Sequence, residues 1–255
     1  MDKTTPGEKP EPMISQSDFD LCLHHIAHDV RASFRAVETI PGWIESALEP
    51  HKDQIPSEVF QHLQMLETHA RRADQLLIDL RDFALLGRDG ATDTPVQVEL
   101  ACKNAVISAR IPEQFSVETK IAVAELFVPQ VDLEKLLVIL ISNAVKHHDK
   151  TTGNIHIQFA KDPVSIRVID DGPGIEPEHR DKVFELLSTL QSRDQCEGSG
   201  VGLALAKKIV SSWGGTIRIK DPDHANDPGR GAEVEISLPD SVLTPRSAAQ
   251  SPMQE

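Results

Sequence analysis

From Asp18 to about Leu48, apolar residues recur mostly at steps of three and four: Phe19, Leu23, Ile26, Val30, Phe34, Val37, Ile44 and Leu48. This is the stripe of an amphipathic helix, roughly 45 Å long at about 1.5 Å per residue, with a kink expected at Pro41-Gly42. Residues 49–56 carry Pro50 and Pro56 among charged side chains and read as a turn. A second stripe follows, Val59, Leu63, Leu66, Ala70, Ala73, Leu77, Leu80 and Ala84, and Gly87 and Gly90 end it. Two such helices form an antiparallel hairpin. Alone, it leaves much of each stripe bare, so the pattern predicts a dimeric four-helix bundle built by residues 16–92.

Beyond residue 93 the periodicity changes. Helical stretches near 98–109, 130–148, 177–190 and 200–213 alternate with strand-like runs near 114–121, 124–128, 154–160, 164–170, 215–220 and 232–238. Residues 93–240 therefore read as one α/β domain, and the chain as an α+β protein of two domains. Residues 1–15 and 241–255, rich in Pro or in Ser and Gln, read as flexible tails.

Composition narrows the function. Lys and Arg total 26 against 40 Asp and Glu, a formal net charge of −14, which repels a phosphate backbone and an anionic bilayer. Cys22, Cys102 and Cys196 are scattered without metal-ligand spacing and read as free thiols. The longest apolar run, Leu136–Ile141, is far short of a membrane span. The expectation is a soluble cytoplasmic protein with no nucleic-acid partner and no membrane insertion.

Three segments of the second domain carry candidate chemistry. Asn143, Lys146 and His147 fall at i, i+3 and i+4 near a helix end, so an amide oxygen able to ligate Mg²⁺ sits beside an ammonium able to neutralise phosphate. By itself this reads more readily as a solvated helix end whose cations suit the dipole. The strand Val164–Ile169 runs into Asp170-Asp171-Gly172-Pro173-Gly174, where glycines allow close backbone approach and a carboxylate can accept from an exocyclic amine. Gly198-Ser199-Gly200-Val201-Gly202 opens a helix and offers free N–H groups to phosphate. No Lys-Ser/Thr follows these glycines and no strand directly precedes them, which excludes a P-loop and disfavours a Rossmann turn.

In this order the three segments make residues 93–240 resemble the ATP-binding domain of sensor histidine kinases, the Bergerat-type α/β sandwich shared with gyrase, Hsp90 and MutL. The strings NAVKHHDK, DDGPGI and LQSRDQCEGSGVGLALAKKIV look like those of phytochrome-type and related bacterial kinases. The resemblance implies ATP and Mg²⁺ as cofactors, with Asn143 as metal ligand and Asp170 on the adenine amine. Lys146, His147, Gly172 and Gly174 would complete the nucleotide site. Gly198, Gly200 and Gly202 would hold phosphate and close a lid over roughly 176–198, in which Arg193 is a further phosphate contact.

The hairpin resembles the phosphoacceptor module of the same family. Of His24, His25 and His28, only His28 opens the string His28-Asp29-Val30-Arg31, which is similar to the family's His-Asp/Glu-x-Arg box. His28 also lies about 200° around the helix from both Ile26 and Val30, off the apolar stripe. By resemblance His28 is the nucleophile and Asp29 the general base, and the phosphoryl group passes to an aspartate on a response regulator receiver domain. Three positions depart from the family: Ser33 replaces its usual Pro, Ile139 its usual Asn one turn before Asn143, and Ala32 the Thr or Asn of kinases that also act as phosphatases. Weak phosphatase activity follows. Because only about 15 residues precede the hairpin, too few for a sensor domain, the stimulus is expected from a separate sensor protein or from the rest of a longer chain. Two other readings stand beside this one: a water-activating ATPase of the Hsp90 or MutL type, and a phosphotransfer protein with a decayed ATPase-like domain.

Overall fold

The structure is a computed structural model that describes residues 16–189, 198–222 and 230–249. Helix α1 (Gln16–Leu48) and helix α2 (Ser57–Leu85) form the expected hairpin, joined by a 3-10 turn at Glu49–Gln54. Helix α1 runs through Pro41 without interruption, although Pro41 has no N–H for the helical ladder. Small and medium side chains, Ala27, Ala70 and Leu63, are buried between the helices and let them approach closely. Arg31 of α1 grips Asp74 of α2 with two hydrogen bonds, Nε to Oδ1 at 2.7 Å and Nη2 to Oδ2 at 3.2 Å. The opposite face stays open, with Ile26 53% and Trp43 69% exposed in the single chain.

The second domain is a helix layer on a sheet. Its helices are α3 (Val98–Ser108), α4 (Gln130–Lys146) and α5 (Gly202–Ser212). A two-stranded pair, β1 (Val96–Gln97) with β3 (Glu125–Leu126), closes the start of the domain. The main sheet contains β2 (Phe115–Ile121), β4 (Gly153–Lys161), β5 (Val164–Asp170), β6 (Thr216–Lys220) and β7 (Glu233–Ser237), in the order β2-β4-β5-β7-β6. Only the β2–β4 pairing is parallel. Ile155, Ile157 and Phe159 of β4 and Val164, Ile166 and Val168 of β5 alternate inward. They meet Leu133, Leu136, Leu137, Leu140 and Ile141, the apolar side of α4, in a single core. The sheet therefore packs its apolar face under the helices and leaves the other face to solvent.

Two expectations need correction. Residues 177–190 were expected to be helical, but the described part holds two short 3-10 turns, Pro177–His179 and Lys182–Phe184. Leu187 then takes a positive φ of 65° and donates its N–H to the Gly200 carbonyl at 2.9 Å, a tertiary bond that competes with helix. Val183 and Phe184 instead bury in a small cluster with Ile219 and Ala232. Residues 241–255 were expected to be a loose tail, yet Val242 is fully buried and its carbonyl accepts the Phe127 N–H at 2.8 Å. A 3-10 turn at Asp240–Leu243 and a short helix α6 (Arg246–Ala249) follow, so the ordered chain extends past residue 240.

The domains dock through polar contacts. Lys208 of α5 donates to Asp20 Oδ2 of α1 at 2.7 Å and to the Phe83 carbonyl of α2 at 2.5 Å. Asp20 is only 3% exposed. Lys135 of α4 pairs with Asp82 at 2.9 Å, and the Gly87 N–H donates to Asp132 at 3.2 Å. Replacing Lys208 with Met keeps the length of the stem but takes the cation from the buried Asp20 carboxylate. This variant is expected to lose on the order of 3 kcal/mol of stability in urea unfolding; an unchanged midpoint would show that the contact contributes nothing.

Candidate active site

Asp170 is the last residue of β5, one position beyond the last residue paired with β7. Its N–H donates to the Ala232 carbonyl at 3.0 Å, and its Oδ1 accepts the N–H of Gly172 at 3.0 Å and of Ala232 at 3.2 Å. Burial pushes the carboxyl above its ordinary value, and the two amide bonds offset that only in part. Among the described residues no hydrogen bond reaches Oδ2, which leaves one recessed acceptor for a ligand donor. Asp171 faces the other way, as neighbours leaving a strand do. Burial raises it, but hydrogen bonds from the Asn154 backbone and side chain and from His148 outweigh this and bring its carboxyl to about 2. Asp171 is thus used up in holding the protein together, whereas Asp170 retains an open oxygen.

The glycines around Asp170 permit this arrangement. Gly172 is buried, and Gly174 has a positive φ of 80°. Gly231, which the sequence reading passed over, has φ of +87° and donates its N–H to the Gly172 carbonyl at 2.7 Å. A Cβ at Gly231 would lie 2.3 Å from the Asp170 carbonyl oxygen, so only glycine fits. Arg230 beside it grips Asp149 at 2.8 and 3.0 Å. The signal for both lay in Gly229-Arg230-Gly231, a Gly-x-Gly immediately before a strand.

Helix α4 brings the second group. Asn143, half-buried, has no side-chain hydrogen bond among the described residues, so its amide is available. Lys146 is exposed in the last turn, and His147 caps the helix. Partial burial and the neighbouring Lys146 ammonium hold His147 below the usual imidazole range, though its side chain still reaches solvent. The Lys146 Nζ lies 3.2 Å from where a Cβ on Gly198 would stand, so the fold brings the second glycine segment against this helix. Gly202 packs on Ile139, whose side chain lies 3.4 Å from the corresponding point. No side chain caps α5, which leaves its first N–H groups open to an anion. Ser199, within this segment, donates to Asp79 of α2 at 2.5 Å and so ties it to the hairpin. Gly200 has a positive φ of 70° and sits against Leu187 and Ser188. Arg193 lies outside the described residues.

His28 and Asp29 are on α1, and among the described residues no hydrogen bond or ion pair joins His28 to the groups above. The His28 ring is 71% exposed, and its Nδ1 meets Asp29 Oδ1 at 3.1 Å. His25 is also exposed, so exposure alone does not separate the candidates; the adjacent carboxylate does. His24 is different again, with a buried Nδ1 that has no partner among the described residues. Arg31 is held by Asp74, whose hydrogen bonds and charge keep the guanidinium above its ordinary value.

Among the described residues no three His, Cys, Asp or Glu side chains converge as a metal site. The donor set still fits Mg²⁺ that arrives with a nucleotide, because such an ion draws most of its ligands from phosphate and water and needs one or two protein oxygens. Asn143 can supply one. Ile139, 8% exposed and apolar, cannot supply a second.

Residues 129–242 match the family of histidine kinase-, DNA gyrase B-, and HSP90-like ATPases. The chain is 28% identical over 220 residues to the sensor protein KdpD of Rathayibacter rathayi, covering 85% of this chain and 25% of that protein. It is 25% identical over 250 residues to the adaptive-response sensory kinase SasA of a Synechocystis species, covering 90% of this chain and 61% of that one. The crystal structure of full-length ShkA in complex with AMPPNP shares the fold, with a TM-score of 0.61 at 21% identity, over 86% of this chain and 46% of that one. These similarities extend across the hairpin as well as the second domain. The chain spans between a quarter and about three-fifths of the length of these curated relatives. No helix among the described residues is long and apolar enough to cross a membrane.

Asp170→Asn separates binding from stability. Asn retains an oxygen for the Gly172 and Ala232 amides and removes a charge that burial disfavours. The variant is expected to keep or raise its thermal midpoint while losing roughly tenfold or more in ATP affinity. Calorimetric titration with ATP and a thermal scan check both; equal ATP affinity would remove Asp170 from the site.

Proposed function

We propose that this chain is the kinase core of a two-component system, which transfers the γ-phosphoryl group of ATP to His28 and then to an aspartate on a response regulator receiver domain. The pairing of an exposed imidazole with Asp29 carries this reading, because it presents a nucleophile beside a proton acceptor on the helix face away from the packed interior. With Nδ1 engaged by Asp29, Nε2 is free to attack the γ-phosphorus. The N–P bond forms as the bond from phosphorus to the bridging oxygen breaks, ADP leaves, and Asp29 takes or holds the Nδ1 proton.

The remaining residues bind and orient. Asp170 accepts from the adenine amine through its open oxygen, and Gly172, Gly174 and Gly231 keep the backbone close enough for the base to reach it. Lys146 and the amides opening α5, around Gly198, Gly200 and Gly202, neutralise phosphate. His147 flanks the nucleotide, and Arg193 is a phosphate contact from the lid. Asn143 would hold Mg²⁺ arriving with the phosphates, and the ion would supply charge stabilisation to the transferring group. Exposed apolar residues on the hairpin, Ile26 and Trp43 among them, support a homodimer that completes a four-helix bundle. The domain assignment is a hairpin over residues 16–92 and an ATP-binding domain from 93, in a cytoplasmic protein whose input comes from a separate sensor or from further segments of the chain.

The competing readings are weaker. A water-activating ATPase needs a general base one turn before Asn143, where the apolar Ile139 is packed on Gly202. A decayed domain has no reason to keep a buried, destabilising Asp170 carboxylate with an open oxygen.

His28→Gln is expected to abolish acid-labile phosphate formed from ATP and Mg²⁺, whereas His24→Gln and His25→Gln retain it; full labelling of the His28 variant overturns the assignment. The reverse reaction is expected to be slow, because Ala32 has no group to hold a water in line with phosphoaspartate. Ala32→Thr should speed phosphate release from a phosphorylated regulator roughly tenfold, measured without ADP so that back-transfer is blocked. Rapid release by the unmodified protein would mean that another residue positions the water.

A further inference from the structure

His148 lies one residue beyond the cap of α4 and takes no part in the mechanism above, yet its side chain is only 2% exposed and both ring nitrogens are engaged. Nδ1 accepts the Lys150 N–H at 3.0 Å, closing a local turn. An accepting Nδ1 carries no proton, so the neutral ring has its hydrogen on Nε2. Nε2 then donates to Asp171 Oδ1 at 3.0 Å. That carboxylate also receives the Asn154 N–H at 2.7 Å and the Asn154 side-chain amide at 2.8 Å.

The ring is also fitted by shape. It meets Phe115 of β2 edge-on, with centroids 5.3 Å apart and planes at 90°. A Cβ on Gly153 would come within 2.8 Å of Nε2, and one on Gly172 within 3.3 Å of Cδ2, so the imidazole occupies space that two glycines leave to it. A side chain enclosed on these sides and bonded at both nitrogens has one available orientation.

We infer that His148 is a positioning residue of the nucleotide site, a rigid link that holds the first glycine turn to the end of the Asn143 helix. The inference rests on the reading of this site as one for ATP. Asn143 and Lys146 lie on one side of the link, and Asp170, the neighbour of Asp171, on the other. A ligand that spans both groups needs their spacing set in advance, since reorganising them on binding subtracts from affinity.

Two isosteric replacements separate the link from the local turn. His148→Gln can place an amide N–H near the position of Nε2 and so keep the bond to Asp171. His148→Asn keeps an acceptor near Nδ1 for the Lys150 N–H, as Asx turns do, but cannot reach Asp171. The test titrates ATP with Mg²⁺ calorimetrically into the full chain, both variants and Asp171→Ala, with thermal midpoints recorded in parallel. His148→Asn and Asp171→Ala are expected to weaken ATP roughly tenfold each, the double variant no further than Asp171→Ala alone, and His148→Gln by no more than about threefold. ATP affinity unchanged in His148→Asn, or lost equally in the Gln and Asn variants in step with their midpoints, overturns the positioning role while ATP still binds the unmodified chain. Absence of ATP binding by the unmodified chain overturns the reading of the site itself.

Discussion

A carboxylate recessed at the end of a strand sets the terms for the second domain. Asp170 is drawn inward by two backbone amides, and burial works against its charge. Its side chain takes the Ala232 N–H beside the end of the β5–β7 pairing, and Gly231 passes so close that no side chain can stand there. The Gly231 N–H in turn pins the Gly172 carbonyl. The first glycine turn, the entry to β7 and the end of β5 are thus one hydrogen-bonded unit. Such a carboxylate is poorly justified by stability and well justified by a ligand donor that meets its open oxygen.

The same economy of polar contacts joins the two domains. Lys208, Lys135 and Ser199, all on α4, α5 or the glycine segment between them in space, reach Asp20, Asp82 and Asp79 on the hairpin. The base of the hairpin is therefore acidic where the second domain presents cations and a hydroxyl. Because Ser199 belongs to the segment that opens α5, the hairpin touches the proposed phosphate-binding backbone directly. On α2 its partner Asp79 lies five residues beyond Asp74, which holds Arg31 of α1. The hairpin and the glycine segment thus meet in one hydrogen bond, Ser199 to Asp79.

Much of this was legible from the pattern of residues. The two helical stripes, the helix expected near 130–148 and the strand runs expected near 154–160 and 164–170 are repetitive signals, set by periodicities of about 3.6 and 2 that any burial of one face imposes. Asn143, Asp170 and the glycine pairs stand out as the proposed site because chemistry restricts which residue types can serve there. The helix expected over 177–190 was not formed, because periodicity does not register the bond between Leu187 and Gly200. The tail expected from 241 failed for a related reason: the burial of Val242 depends on a surface built more than a hundred residues earlier in the chain, around Phe127.

The order of residues alone carries a helical first part, a mixed α/β second part, the proposed site residues and His28 beside a carboxylate. Only the tertiary structure decided which of Asp170 and Asp171 keeps an open oxygen, since both are adjacent, acidic and near glycine, and the difference arises from Asn154 and His148 closing on one of them. It likewise decided the roles of Gly231, Arg230 and Lys208, whose partners lie 59 to 188 positions away along the chain. Local patterning encodes which face of an element is buried; which polar groups meet across elements depends on where the assembled backbone places them.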